Sequence, residues 1–137
     1  IISGALAFLY VSQNNDAPSR EESVNELINL ILNKISNDDT LRNAVLNAEI
    51  DPGNINYLKD SNSTLIKSEI EKFIPPKEDL EFKFNICLLN QICTCEVQPT
   101  DECPKDKNIY SKERTISVTL QSDSIEPRVL KIFVWEK

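Results

Sequence analysis

The chain contains no histidine. That removes the commonest general base, the side chain that changes charge near neutral pH, and the commonest metal ligand. No Ser–His or Cys–His nucleophile pair can form. The two glycines in 137 residues leave no room for a phosphate-cradling loop. Methionine is absent, so the chain opens without an initiator residue. Basic residues are outnumbered, 15 against 22 acidic ones, for a net charge of −7. An acidic surface argues against holding nucleic acid or an anionic membrane through a basic patch. No uncharged apolar run reaches the roughly 20 residues that a bilayer core requires.

One apolar run does organise the chain. It is the opening stretch, Ile1-Ile2-Ser3-Gly4-Ala5-Leu6-Ala7-Phe8-Leu9-Tyr10-Val11. As a helix it would rise about 17 Å, too little to span a membrane alone. The expectation is either that a longer apolar segment has been cut to this stretch or that the short stem is complete and buries itself in protein. A core element usually shows a polar face, and this stretch shows none. We expect a stem that serves an intermolecular or membrane role, with Ile1, Ile2, Leu6, Phe8, Leu9, Tyr10 and Val11 as its contact residues. Ala5, Leu6, Ala7 and Leu9 favour helix, whereas Ile1, Ile2, Phe8, Tyr10 and Val11 tolerate strand. Residues 1–18 thus form a stem and hinge, and residues 19–137 form one head domain.

Four cysteines fall between positions 87 and 103: Cys87, Cys93, Cys95 and Cys103. An even number in one local region points to disulfides and an oxidising, extracellular setting. The spacings differ from the paired Cys-x₂₋₄-Cys of a zinc site, so no metal is expected there. Three pairings are open. A Cys93–Cys95 bridge would be strained, which favours Cys87 with one of these two and Cys103 with the other.

Along the head, Ser19-Arg20-Glu21-Glu22 is a capping box. Val24, Leu27, Ile28, Ile31, Leu32 and Ile35 follow at helical spacing, which predicts an amphipathic helix. Ser36 to Thr40 supplies new caps, and Leu41 to Ala48 reads as a second helix. Asp51-Pro52-Gly53-Asn54 is a turn, and Asn54 to Lys59 is compatible with one further helical turn. Asp60 to Ser63 would cap a third helix over Thr64 to Ile74, with Leu65, Ile66, Ile70, Phe73 and Ile74 on its apolar side. Pro75-Pro76 ends it. Asn62-Ser63-Thr64 is a glycosylation sequon, with Asn62 as the candidate acceptor or a plain helix cap.

From Leu80 the apolar period changes from 3.6 to 2. Leu80, Phe82, Phe84, Ile86 and Leu88 alternate with polar positions, as in a half-buried strand. Ile109-Tyr110 would open an extended piece, and Arg114 to Gln121 alternates again. Asp123 to Pro127 reads as a turn before the last strand, Val129 to Trp135. That strand is apolar on both faces, which predicts a central position or a covered second face. Helices over 19–76 followed by an antiparallel sheet over 80–137 make the head α+β.

Three stretches together resemble archaeal type IV pilin-like proteins, the group processed at a class III signal peptide. They are the apolar stem without methionine, Phe82-Lys83-Phe84-Asn85-Ile86-Cys87 followed by Cys93, and the ending. The ending comprises Tyr110-Ser111-Lys112-Glu113-Arg114-Thr115-Ile116-Ser117 and Arg128-Val129-Leu130-Lys131-Ile132-Phe133-Val134-Trp135-Glu136-Lys137. The resemblance implies a stem that anchors the subunit in the membrane before assembly, then packs against its copies as a filament core. The β-rich head would face outward. An extended stem completing the neighbour's sheet by strand addition is the alternative mode. Either contact is head-to-tail and grows without closing, giving a homopolymer at the cell surface.

Catalysis is not expected. Asp38/Asp39 and Glu78/Asp79 are the candidate carboxylate pairs, and both sit at expected element ends where capping explains them. Acidic loops at Asp101-Glu102 and Asp123 lack EF-hand spacing, and no cofactor is expected. The function expected from sequence is a structural subunit of an extracellular, pilus-like filament. The alternatives are a membrane-tethered extracytoplasmic binding domain that does not polymerise, and a secreted domain with the stem in its core.

Overall fold

A computed structural model describes residues 19–48, 61–75, 79–95, 103–117 and 126–137. Three helices precede three strands: α1 (Arg20–Asn37), α2 (Asp39–Asn47), α3 (Ser61–Phe73), β1 (Leu80–Leu88), β2 (Tyr110–Ile116) and β3 (Arg128–Glu136). The expected stem, the Asp51–Asn54 turn, the Asn54–Lys59 turn of helix and Asp123 lie outside the described residues, as do Asp101 and Glu102.

α1 begins as its capping box dictates. The Ser19 hydroxyl accepts a hydrogen bond from the backbone N–H of Glu22 at 3.2 Å, and Glu21 and Glu22 place negative charge against the positive end of the helix dipole. Its stripe of Val24, Leu27, Ile28, Ile31, Leu32 and Ile35 is buried throughout. α1 stops at Asp38, which is extended and whose carboxylate accepts from Leu41 N–H at 3.1 Å to cap α2. α2 therefore starts at Asp39, two residues before the expected Leu41. Asp39 pairs with Arg42 one turn on.

α3 corrects the sequence reading at its start. Ser61, Asn62 and Ser63, expected as caps, are helical. Ser63 is fully buried. Leu65, expected on the apolar side, is exposed, while Ile66 and Ile70 carry the packing. The exposed Lys72 reaches back one turn to the buried Glu69 at 3.0 Å.

The sheet has the order β1-β3-β2 with both pairings antiparallel. β3 is central, as its two apolar faces predict. Leu130, Ile132 and Val134 join Leu80, Phe84, Ile86 and Ile116 in the core beneath the helices. Val129, Phe133 and Trp135 lie on the opposite face and are buried there too. β2 differs from its expected bounds. It starts at Tyr110 and ends at Ile116, so the run expected over Arg114 to Gln121 is paired only in its first half among the described residues. Its middle, Ser111-Lys112-Glu113, is exposed, and charge on an outer strand discourages further pairing.

Long-range polar contacts tie the layers. Arg20 at the start of α1 binds Glu136 at the end of β3 at 2.8 Å and lies 3.8 Å from Asp79. Arg114 of β2 donates to the Asn33 side chain on α1. The Asp79 carbonyl accepts from Lys137 N–H at 2.9 Å, closing the edge where β1 begins and β3 ends.

Candidate functional site

The four cysteines pair as Cys87–Cys93 and Cys95–Cys103, with Cα separations of 5.7 and 5.8 Å. Both separations suit a bridge. The two pairs have different surroundings. Cys87 and Cys93 are buried and pack on Val129 of β3, whereas Cys95 and Cys103 are half-buried. The inner bridge pins the segment after β1 onto the face of the sheet away from the helices. Beside it, Asn85 is 1% exposed, and its amide nitrogen donates to the Thr94 carbonyl at 3.0 Å. The period-2 pattern placed Asn85 on a polar face, and its burial follows from the stapled segment lying over that position.

The six-residue spacing of the inner bridge makes a tight tip. Gln91 N–H donates to the Leu88 carbonyl at 3.0 Å, and the Gln91 side-chain oxygen accepts from Leu88 N–H at 3.2 Å. This reciprocal pair locks the turn. It leaves Leu89 56% and Ile92 88% exposed. Sequence reasoning missed this tip. The available signal was two large apolar residues between closely spaced cysteines, with no strand left for them to occupy.

At the other end of β1 lies an open groove of about 360 Å³, lined by residues of α3, β1 and the end of β3. Ile74, Leu80, Phe82 and Trp135 line it, with Lys67, Lys83 and Lys137 around them. Trp135 is held in place by its indole N–H, which donates to the Glu81 carboxylate at 3.1 Å. A second hollow of about 280 Å³ lies near Tyr110 and Lys107. The first thus sets apolar side chains among three lysines and two glutamates, Glu71 and Glu81, at the beginning of β1.

Asn62, the candidate glycan acceptor, lies in the first turn of α3, half-buried. Its amide nitrogen donates to the Asn47 carbonyl at 3.1 Å. It thus closes the C-terminal end of α2 rather than capping its own helix. Arg128 serves the same helix end, donating to the carbonyls of Val45, at 3.0 Å, and Ala48. Cationic donors suit this end of a helix dipole.

Asp38 and Asp39 are accounted for by the cap and by Arg42. The Leu41 N–H, followed by Thr40 N–H and Lys34, holds the Asp38 carboxyl below its ordinary range. Asp79 lies beside Arg20, and Glu78 is outside the described residues. Among the described residues, no cluster of three or more metal-ligating side chains occurs, and no helix is long and apolar enough to cross a membrane. The stem residues Ile1, Ile2, Leu6, Phe8, Leu9, Tyr10 and Val11 lie outside the description. No protein-family model, curated protein or solved structure matches the chain.

Proposed function

We propose that the chain is a structural subunit of an extracellular, pilus-like filament, assembling through its apolar N-terminal segment. The observation that carries this reading is the doubly bridged end of the sheet, set in a head that follows an uncharged apolar stretch. Closely spaced bridges belong to an oxidising compartment. The stem supplies the apolar contact surface that such a head needs to be anchored or polymerised.

Two modes of stem contact remain consistent with the head. A helical stem packs with its copies as a filament core. An extended stem adds to a sheet edge of the next subunit, and among the described residues β1 and β2 are each paired on one side only. Backbone hydrogen bonds then link the subunits and alternate side chains fill pockets. In both modes the membrane holds the subunit before assembly, and the contact propagates without closing.

Replacing Leu6 and Phe8 together by Asp tests the reading. A charge buried in an apolar contact costs several kcal/mol, so sedimentable polymer should disappear while the far-UV circular dichroism of the head is unchanged. Polymer that survives both substitutions refutes stem-driven assembly. A wild-type chain that stays dispersed supports the tethered, non-polymerising reading instead.

A further inference from the structure

The two bridges differ in what surrounds their sulfurs, and that difference decides which of them a reductant can reach. We propose that Cys95–Cys103 is a reversible redox clasp, opened and re-formed by a dithiol while Cys87–Cys93 keeps the head folded. The inference concerns the head alone and holds whether or not the stem polymerises.

Thiol–disulfide exchange begins when a thiolate reaches one sulfur of the bridge, so access governs the rate together with thiol chemistry. The inner bridge denies that access. Cys87 is 1% and Cys93 7% exposed, and both pack with Val129. Cys87 stands opposite Val129 in the β1–β3 register, which sets the bridge into the sheet. Electrostatics adds a second barrier. The Cys93 Sγ lies 3.7 Å from the Asn85 carbonyl oxygen and 4.0 Å from that of Val129. Both oxygens carry partial negative charge. They repel an incoming thiolate, and they disfavour the thiolate that Cys93 would become as a leaving group.

The outer bridge is placed differently. Cys95 and Cys103 are half-buried, and the chain beside them is open to solvent: Thr94 is exposed, and so are Lys105, Asp106, Lys107 and Asn108. Both cysteines also have fixed neighbours that do not depend on the bond between them. The Thr94 carbonyl, one residue before Cys95, is held by the Asn85 amide at 3.0 Å. Beyond Cys103 the chain is held again at Tyr110, where β2 pairs with Val134 of β3. Two thiols tethered in this way have a short loop to close, so the bond re-forms at little entropic cost.

The exchange balances with the dithiol as the reductant. Its thiolate attacks the Sγ of Cys95 or Cys103, the S–S bond breaks, and the displaced cysteine thiolate takes a proton. The second thiol of the reductant then displaces the remaining cysteine from the mixed disulfide, and that cysteine is protonated in turn. Two electrons and two protons pass to the bridge, and the reductant leaves as its own disulfide. The oxidised reductant drives the same steps in reverse and closes the clasp.

The test treats the full native chain with dithiothreitol, traps thiols over time with an alkylating agent and locates the label by peptide mass. Native domains hold unfolded fractions of about 10⁻³ or less, so a bridge that opens only on unfolding should lag an accessible one by at least about tenfold. We expect Cys95 and Cys103 to be labelled first, with Trp135 fluorescence and far-UV circular dichroism unchanged. Urea below the unfolding transition should accelerate labelling of Cys87 and Cys93 steeply and leave that of Cys95 and Cys103 nearly constant. Oxidised dithiothreitol added after the first phase should restore the Cys95–Cys103 bond. Release of all four thiols together, release of the inner pair first, or loss of the Trp135 signal as the outer bridge opens would each overturn the proposal. So would an outer pair whose labelling follows urea as steeply as the inner.

Discussion

Removing the two disulfides one at a time should separate a packed staple from a plain tether. The perturbations are Cys87→Ala/Cys93→Ala and Cys95→Ala/Cys103→Ala. The bridges span 6 and 8 residues. Loop-closure entropy then assigns the inner bridge about 2.2 kcal/mol and the outer one about 2.5 kcal/mol. On tethering alone, the outer bridge should matter slightly more. Packing reverses the order. Cys87 and Cys93 are buried against Val129, whereas Cys95 and Cys103 are half-buried. Two lost buried sulfurs add about 2 kcal/mol if each is worth a little more than a methylene.

Freeing the segment also threatens the Asn85 amide bond to Thr94, and a buried amide without its partner costs about 1–3 kcal/mol. The inner double variant should therefore lose about 4 kcal/mol or more, against about 2.5 kcal/mol for the outer one. Urea unfolding followed by tryptophan fluorescence measures both. The chain has one tryptophan, Trp135, buried on the same sheet face. Equal losses, or a larger loss for the outer pair, would refute the argument that the inner bridge fastens the loop to the sheet.

Arg128→Ala removes the donors to the last carbonyls of α2 and should cost about 2 kcal/mol, the range for charge-assisted bonds. Arg128→Lys should recover part of that loss, and an unchanged urea midpoint for the alanine variant would contradict the helix-end role. Asp38 has a depressed folded-state pKa because it accepts the Leu41 and Thr40 N–H groups near Lys34. Its ionised form is favoured by folding, so its contribution is present above the ordinary carboxylate pKa and fades as pH falls through the lowered folded value. Asp38→Ala should lower the melting temperature at pH 7 and flatten its dependence on acid pH, whereas Asp38→Asn should keep most of the cap. An acid profile identical to wild type in both variants would count against it.

The elements that were legible in the sequence are those whose burial is decided locally. The α1 stripe from Val24 to Ile35 and the period-2 run from Leu80 to Leu88 each announce one buried face. β3 was legible in a further respect, since Val129, Phe133 and Trp135 opposite Leu130, Ile132 and Val134 require cover on both sides. β2 was read too late because Ser111, Lys112 and Glu113 are polar and exposed, and an outer strand needs no apolar alternation. Ser61 to Ser63 looked like caps because their hydroxyls and amide suit that role. Their place inside α3 is decided by neighbours, since Ser63 is buried and Asn62 serves the end of α2. The groove and the tip are still less local. They arise where α3 ends beside β1 and where the Cys87–Cys93 pairing turns Leu89 and Ile92 outward, and sequence spacing left that pairing open.

The central claim is that an apolar stem assembles a disulfide-stapled head. Electron microscopy of native material beside a sample lacking residues 1–18 tests it most directly. Regular filaments in the first sample and dispersed heads in the second are the predicted result. Filaments in both samples, or dispersed particles in both, would contradict it.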